Sequence, residues 1–447
     1  MVKKLFFLIF IFTVYCKPSI AGDDALYELD ADIINYSGNR VELEGNVAFQ
    51  YDLAKISSHS AFLEQKTSGK EKKTARLGFC DDVTITMKDR GVIHCISGEA
   101  DLSKNKISLQ GEPVHYQKEV AVSCKDMVLR YDESHTITEI VATGHVFIED
   151  PHQYRARGHQ AIYNGEGLVT LLPKKNERCF IDTPYGVNIE AEEVIFDTLN
   201  HQILLKHTQG SIRLVKGLPT AIEADLAVWD ETDGVLTLLG NAIVSHPLMA
   251  SIKNTGLISF IWNDSDLQYM TVMGDSKITC FNKQGGVDYH LTVNGNIVLD
   301  HTLKQLYIEK MENQIQYSDK LGHVFGDTLI VDYKINNKEI EPSKVQLSNN
   351  VKLLSIASVS TSIDSFTPQY ALADTMQYFP DTKVLHLSGQ NGGRVLYYDK
   401  INNVQISAPK LLYSKNAKET VKGIGDVRFR FMEQELNEIK KRFKFDG

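Results

Sequence analysis

The chain has 447 residues, of which 43% are hydrophobic and 23% charged, a composition that folds and does not behave as a disordered tail. Its net charge of -9 supplies no basic stripe to displace counterions from phosphates, which argues against nucleic acid as a partner. At this length the prior is two to three ordinary domains, but a repeat array escapes that count because each unit contacts only its neighbours.

At the start, Met1-Val-Lys-Lys4 puts positive charge ahead of an apolar run from Leu5 to Cys16, and Ser19-Ile-Ala21 has the small residues of a cleavage site. This reads as an export signal over residues 1–21. The competing readings are an uncleaved anchor, for which the run is short against the roughly 20 residues needed to span a bilayer, and a lipoprotein at Cys16, whose neighbours Tyr15 and Lys17 are not small.

From residue 22 to 430 one phrase keeps returning: strand, a Gly/Asn or Asp turn, more strand. Val41-Glu-Leu-Glu-Gly-Asn-Val-Ala-Phe49 is followed by Ile140-Val-Ala-Thr-Gly-His-Val-Phe-Ile148 and Leu236-Thr-Leu-Leu-Gly-Asn-Ala-Ile-Val244. Met270-Thr-Val-Met-Gly-Asp-Ser-Lys-Ile278 and Val345-Gln-Leu-Ser-Asn-Asn-Val-Lys-Leu353 continue the series. A period of roughly 30 to 36 residues gives about twelve repeats and implies a stacked array rather than one globular core, possibly as two consecutive sub-arrays. Between turn phrases lies a second strand with an acid and an aromatic, as in Ala31-Asp-Ile-Ile-Asn-Tyr36, Ala224-Asp-Leu-Ala-Val-Trp229, Gly326-Asp-Thr-Leu-Ile-Val-Asp-Tyr333 and Ala373-Asp-Thr-Met-Gln-Tyr378. Polar connectors such as Ser37-Gly-Asn-Arg40 and Asp230-Glu-Thr-Asp-Gly234 favour turns.

Within the turn phrase the apolar residues keep one parity through the turn: Val41, Leu43, Val47 and Phe49; Ile140, Val146 and Ile148; Leu236, Leu238 and Val244; Val345, Leu347, Val351 and Leu353. Period two predicts half-buried strands with these residues pointing inward on both sides of the turn. Glu42, Glu44, Gln346 and Lys352 take the solvent face. Two copies look eroded: Gly111-Glu-Pro-Val-His115 places Pro113 and His115 at inward positions, and Gly389-Gln-Asn-Gly-Gly393 has no apolar residue. A groove built on these rows is expected to fail there.

Helical spacing enters at the end, where Met432, Leu436, Ile439 and Phe443 predict a helix over 431–447 with Glu early and Lys/Arg late, as the macrodipole favours. A terminal cap and a docking helix both fit it. No later segment is long and apolar enough to span a membrane. Cys80, Cys95, Cys124, Cys179 and Cys280 form an odd set with no C-x-x-C or Cys/His zinc spacing, which predicts buried or unpaired thiols and no metal, although one disulfide is open to an exported protein.

The two half-motifs resemble the OstA/LptA family of periplasmic lipopolysaccharide-transport proteins, which also supplies the jellyroll parts of LptD and LptC. Ala31-Asp32 through Tyr36 and Gly45-Asn46-Val47 carry the likeness best, and weaker matches run to Val427. The resemblance implies an all-β fold: an extended, twisted, open β-jellyroll whose two sheets hold acyl chains between them. It implies a non-enzymatic periplasmic carrier or bridge that moves lipopolysaccharide, or lipooligosaccharide, toward the outer membrane without a cofactor. The inward residues named above would form the lipid groove, with Lys55, Lys125 and Lys352 considered for the headgroup. Its partners would be the glycolipid, membrane-bound jellyrolls joined through terminal edge strands near Ala31 and Val427, and further copies end to end. This chain has more repeats than a minimal bridge protein and is too short to add an outer-membrane barrel.

No H-E-x-x-H, G-x-S-x-G or Walker loop is present. Gly423-Ile-Gly425 reads as a turn or bulge, and the scattered histidines His59, His94, His145, His246 and His290 form no set. The repeated acids Asp32, Asp126, Asp225, Asp327 and Asp374 could be imagined as a carboxylate ladder for sugar hydrolysis, but a regularly repeated acid usually satisfies turn amides. The reading from another class is a structural or adhesive surface β-solenoid with its interior packed shut.

Overall fold

In a computed structural model the described residues run from 28 to 431, omitting 52–53, 69–70, 88–90, 119–120, 133–136, 150–153, 184–185, 214–218, 248, 264–265, 283, 321, 337–338, 356–368, 400–403 and 415–419. The expected signal segment and C-terminal helix lie outside them. The described residues are all-β, with 34 strands, β1 (Glu28–Asp30) to β34 (Arg428–Phe431) in chain order. This is the extended β-jellyroll class that alternating β-branched and aromatic residues favour. No helix among the described residues is long and apolar enough to cross a membrane.

The strands fall in two compact units. One takes the described residues up to Ile212 with Leu226–Val235; the other takes Arg213–Asp225 and those from Leu236 onward. In the first unit, β3 (Arg40–Tyr51), β4 (Ala54–Ser68), β5 (Glu71–Met87), β6 (Gly91–Asp101), β7 (Lys106–Gln117), β8 (Ala121–Tyr131), β9 (Ile137–Glu149) and β10 (Arg155–Tyr163) pair antiparallel in succession. β1 and β2 (Ile33–Ser37) both lie along β3, one beside each half of it.

The Gly-Asn phrase is not the hairpin turn that its composition suggests. β3 runs unbroken through Gly45 and Asn46, which both adopt positive φ (+73° and +45°). The register to β4 shifts there, so that this pair faces the single residue His59 between the Val47–Ser58 and Glu44–Ser60 pairs. It is a bulge that bends the strand at mid-length, because an extra residue on one strand locally increases twist and turns the chain. Left-handed residues recur at Asp81 and Asp82 in β5 and at Gly144 and His145 in β9, each opposite a register shift. Each long strand therefore has two halves that meet at a corner.

The connectors between strands are the hairpin turns. Asp230 Oδ1 accepts the amides of Thr232 and Asp233, and Asp197 and Asp300 cap their own turns in the same way. These are the local side-chain bonds that make Asp a turn residue.

Candidate functional site

The acid-bearing half and the Gly-Asn half are parts of one device. Asp32 donates its backbone N–H to the Gly45 carbonyl at 2.9 Å, and its carboxylate accepts from Asn46 Nδ2 at 3.0 Å. The second unit repeats this: the Asp225 N–H reaches the Gly240 carbonyl at 3.0 Å, and Asn241 Nδ2 donates to Asp225 Oδ2 at 2.9 Å. Asn350 Nδ2 donates to Asp327 Oδ2 at 2.7 Å, and Asp374 Oδ2 accepts from the Gln390 amide at 2.6 Å. A Cβ on Gly45 or Gly240 would press on the clasping carboxylate, so glycine is demanded by contact as well as by φ.

Asp327 is the most enclosed of these acids, 9% exposed, with Lys310 Nζ at 2.9 Å and Gln314 Nε2 at 3.1 Å on its other oxygen. Burial alone would raise its pKa. The hydrogen bonds from Lys310, Asn350 and Gln314 outweigh that and hold the carboxyl below the usual range. Asp32, Asp225, Asp327 and Asp374 thus serve the corners.

Beside each corner the inward residues form sealed rows. In the first unit one row is Leu43, Ala61, Phe79, Leu109, Met127 and Ala142, and the facing row is Val47, Val83, Cys95, Val114, Cys124 and Val146, all at most 7% exposed. One step further from the corner on the Leu43 side, Val41, Leu63, Leu77, Ile107 and Ile140 are half-buried while Leu129 stays buried; on the facing side Ile56, Ile85 and Ile148 are half-buried, whereas Phe49, Ile93, Tyr116 and Val122 stay sealed. The second unit shows the same gradient from Ile297, Ile308, Leu347, Leu387 and Leu411, each buried, to Leu299, Leu306, Val345, Leu385 and Tyr413, each half-buried.

The face that carries Leu43 and Leu347 is therefore closed at the corner and more accessible away from it, while the facing one is only partly so. The aromatic of the acid-bearing half takes that far end. Tyr378 and Tyr413 are cross-strand neighbours of Val345 and Leu385 there. On the other face Tyr317 pairs with Leu291 and stacks on Tyr289 with ring centroids 5.1 Å apart, and burial pushes both phenols up. Such rings place an apolar body inward and a polar tip toward water.

The named groove residues divide accordingly. Leu43, Val47, Val146, Leu347 and Val351 are sealed at corners, Phe49 is 8% exposed, and Val41, Ile140, Ile148, Val345 and Leu353 are half-buried toward the open side. Leu236 and Leu238 are both 0% exposed and Val244 3%, and near them Ile258 and Phe260 are 0% exposed. In this stretch of the second unit the protein's own side chains fill the interior. Leu171, Val194 and Leu205 do the same in the first unit.

The two copies that look eroded keep their lining. At Gly111 the corner is one residue longer, so Val114 and Tyr116, 0% and 4% exposed, take the inward places while Pro113 is exposed and His115 faces Ser123. At Gly389 the corner extends to Arg394, and Val395 at 0% resumes the row beside Ala408 and Leu411. A polar break stands elsewhere: Asn254 and Ser276 occupy sealed positions, with Asn254 Nδ2 donating to Ser276 Oγ and to the Met273 carbonyl.

The lysines considered for a headgroup do not face the opening. Lys55, Lys125 and Lys352 are all exposed; Lys352 sits on the outer face beside a corner, and Lys125 packs at the corner against Gly144. The five cysteines in the described residues are free thiols, and burial raises Cys95 and Cys179 to about 11 and Cys124 to about 12. Strands β4 and β6, whose Ile56, Leu63 and Ile93 complete the faces, lack a Gly-Asn phrase and escaped the sequence reading.

No family model matches the chain, and no curated protein matches it. Among solved structures it is similar to LptH, the LptA-homologous periplasmic component of the lipopolysaccharide transport device of Pseudomonas aeruginosa. The identity is 12%, the match covers 39% of this chain and 76% of that one, and the TM-score is 0.11, too low to transfer a residue or a role.

Proposed function

We propose that this protein binds the acyl chains of an amphiphile between the two inward faces of its bent strands and carries it as a non-enzymatic lipid carrier. One observation carries the reading: in each unit an apolar row sealed at the corner, as at Leu43 and Leu347, gives way on the same face to half-buried residues, Val41, Leu63 and Leu77 in one unit and Val345 and Leu385 in the other. A solenoid core would be sealed across its whole width. Each methylene buried on these faces gains about 0.8 kcal/mol, so a chain of a dozen carbons is held firmly without any specific polar contact.

The finer reading is that the cargo is lipopolysaccharide or a related acylated glycolipid, that the compartment is the periplasm, and that the direction is toward the outer membrane. The half-motif likeness to OstA/LptA proteins supports it. An apolar slot alone only equilibrates lipid, so directional transport takes its energy from partners. The exposed edges suit such partners. β2 pairs only with β3 among the described residues and shows Ile33, Ile34 and Tyr36 at 52%, 57% and 62% exposure. In the second unit β34 exposes Phe429 at 49%. Edge strands can add to another sheet, from a membrane-bound jellyroll or a second copy.

The closed stretch at Leu236, Leu238, Ile258 and Phe260 favours a second reading for that part alone, a packed structural spacer. Photocrosslinking separates the two. A photoreactive side chain at Val41 or Val345 labels acylated glycolipid, whereas one at outward Glu42 or Lys352 does not. Equal labelling at all four positions, or labelling only at the outward pair, rejects the carrier.

A further inference from the structure

The outer face of the first unit carries a polar ladder that the lipid reading does not use. Thr84, His94, His115 and Ser123 are successive cross-strand neighbours on β5, β6, β7 and β8. His94 and His115 stand directly opposite each other, where Cβ atoms lie about 4.5–5.5 Å apart. His94 is exposed and His115 half-buried.

Each imidazole is turned by a hydroxyl on its far side. His94 Nδ1 lies 3.1 Å from Thr84 Oγ1, and His115 Nδ1 lies 2.9 Å from Ser123 Oγ. Thr84 and Ser123 are on the strands flanking the histidine pair, so both Nδ1 atoms point away from the gap between the rings. The Nε2 edges are left toward that gap. With Nδ1–H donating to the hydroxyl oxygen, each Nε2 keeps its lone pair. An outer partner that fixes tautomer and ring orientation in this way is what metal-ligating histidines use.

We infer that His94 and His115 form a two-nitrogen site for a borderline transition-metal ion such as Zn2+ or Cu2+, with Thr84 and Ser123 as its positioning residues. Such an ion takes Zn–N bonds of about 2.0–2.1 Å, and water would complete its coordination. Imidazole pairs favour Cu2+ over Zn2+ and do not hold Mg2+, which takes oxygen ligands. Sequence spacing could not reveal the site, because the ligands and their partners come from four strands. The competing explanation is four hydroxyl and imidazole groups pairing on a wet face.

The test is calorimetric titration of ZnCl2 into the untagged, chelator-stripped protein, with the Cu2+ electron paramagnetic resonance spectrum as a second readout. One equivalent of Zn2+ binds, and affinity falls about tenfold or more in His94→Gln and in His115→Gln. A smaller loss is expected in Thr84→Val. His59→Gln, at a corner, leaves binding unchanged, and MgCl2 gives no heat. The Cu2+ spectrum shows two coordinated nitrogens that fall to one in either histidine variant. An unchanged Zn2+ affinity in both variants, or an equal loss in His59→Gln, overturns the site. In the unmutated protein, Zn2+ protects His94 and His115 but not His59 from carbethoxylation read by mass spectrometry; equal protection or none also overturns it, without depending on a variant's folding.

Discussion

Replacing Asp327 by alanine tests whether the corners hold the fold. The substitution removes a carboxylate that accepts from Asn350 at 2.7 Å and Gln314 at 3.1 Å and pairs with Lys310 at 2.9 Å, leaving those donors around an apolar stub. Hydrogen bonds to a charged group contribute about 1.5–3 kcal/mol, and stranding a partly enclosed partner adds to the loss, so we expect about 2–4 kcal/mol. Asp327→Asn keeps an acceptor without the charge and should lose roughly half of that. The chain has two tryptophans, Trp229 and Trp262. In a Trp229→Phe background the fluorescence of Trp262 reports urea unfolding of the unit that contains Asp327. The carboxyl's folded pKa is depressed, so its contribution is fully present above the unfolded carboxylate value of about 3.9 and is lost as pH falls through the lower folded value. The gap between wild type and Asp327→Ala should therefore shrink below about pH 4. A change within about 0.5 kcal/mol at pH 7 would refute the clasp as a source of stability, since ordinary surface substitutions fall in that range.

Three further outcomes follow from the same geometry. Gly240→Ala incurs the left-handed penalty of about 1–2 kcal/mol and also brings a Cβ to 2.7 Å from Asp225 Oδ2, whereas Gly38→Ala meets open space; urea midpoints should rank them in that order. Leu236→Ala empties a fully sealed position at a cost of about 2–5 kcal/mol, and Val345→Ala, half-exposed, costs less while weakening lipid retention measured by co-purified acyl chains. The thiols of Cys95, Cys124 and Cys179, raised by burial to about 11, 12 and 11, stay unlabelled by iodoacetamide at pH 8 in the folded protein. Mass spectrometry should find half-buried Cys80 and Cys280 alkylated first.

Parity through the turn phrase made the inward faces legible, because period-two alternation survives an even-numbered bulge: Leu43 and Val47 flank Gly45-Asn46 and both are sealed. The same rule misplaced the lining at Gly111, where an odd insertion moves the inward set to Val114 and Tyr116. Asp32 and Asn46, Asp225 and Asn241, and Asp327 and Asn350 were each visible as repeated residues, but their bond spans 14, 16 and 23 positions and only strand pairing brings them together. Turn composition could not distinguish a hairpin from a bend inside a strand, since Gly and Asn supply positive φ to both.

The corners alternate between strands. A wide bend with left-handed residues, as at Gly45, Asp81 and Gly144, is followed by a strand that passes with a single residue, His59, Ile96 and His159 respectively. Gain or loss of one strand would set two wide bends side by side and reverse the chain's direction, while gain or loss of a wide–narrow pair leaves every neighbour's register intact. Within a unit, duplication and deletion during evolution can therefore change the reach of the array only in steps of two strands, and variation in length among descendants of such a gene should be quantised accordingly.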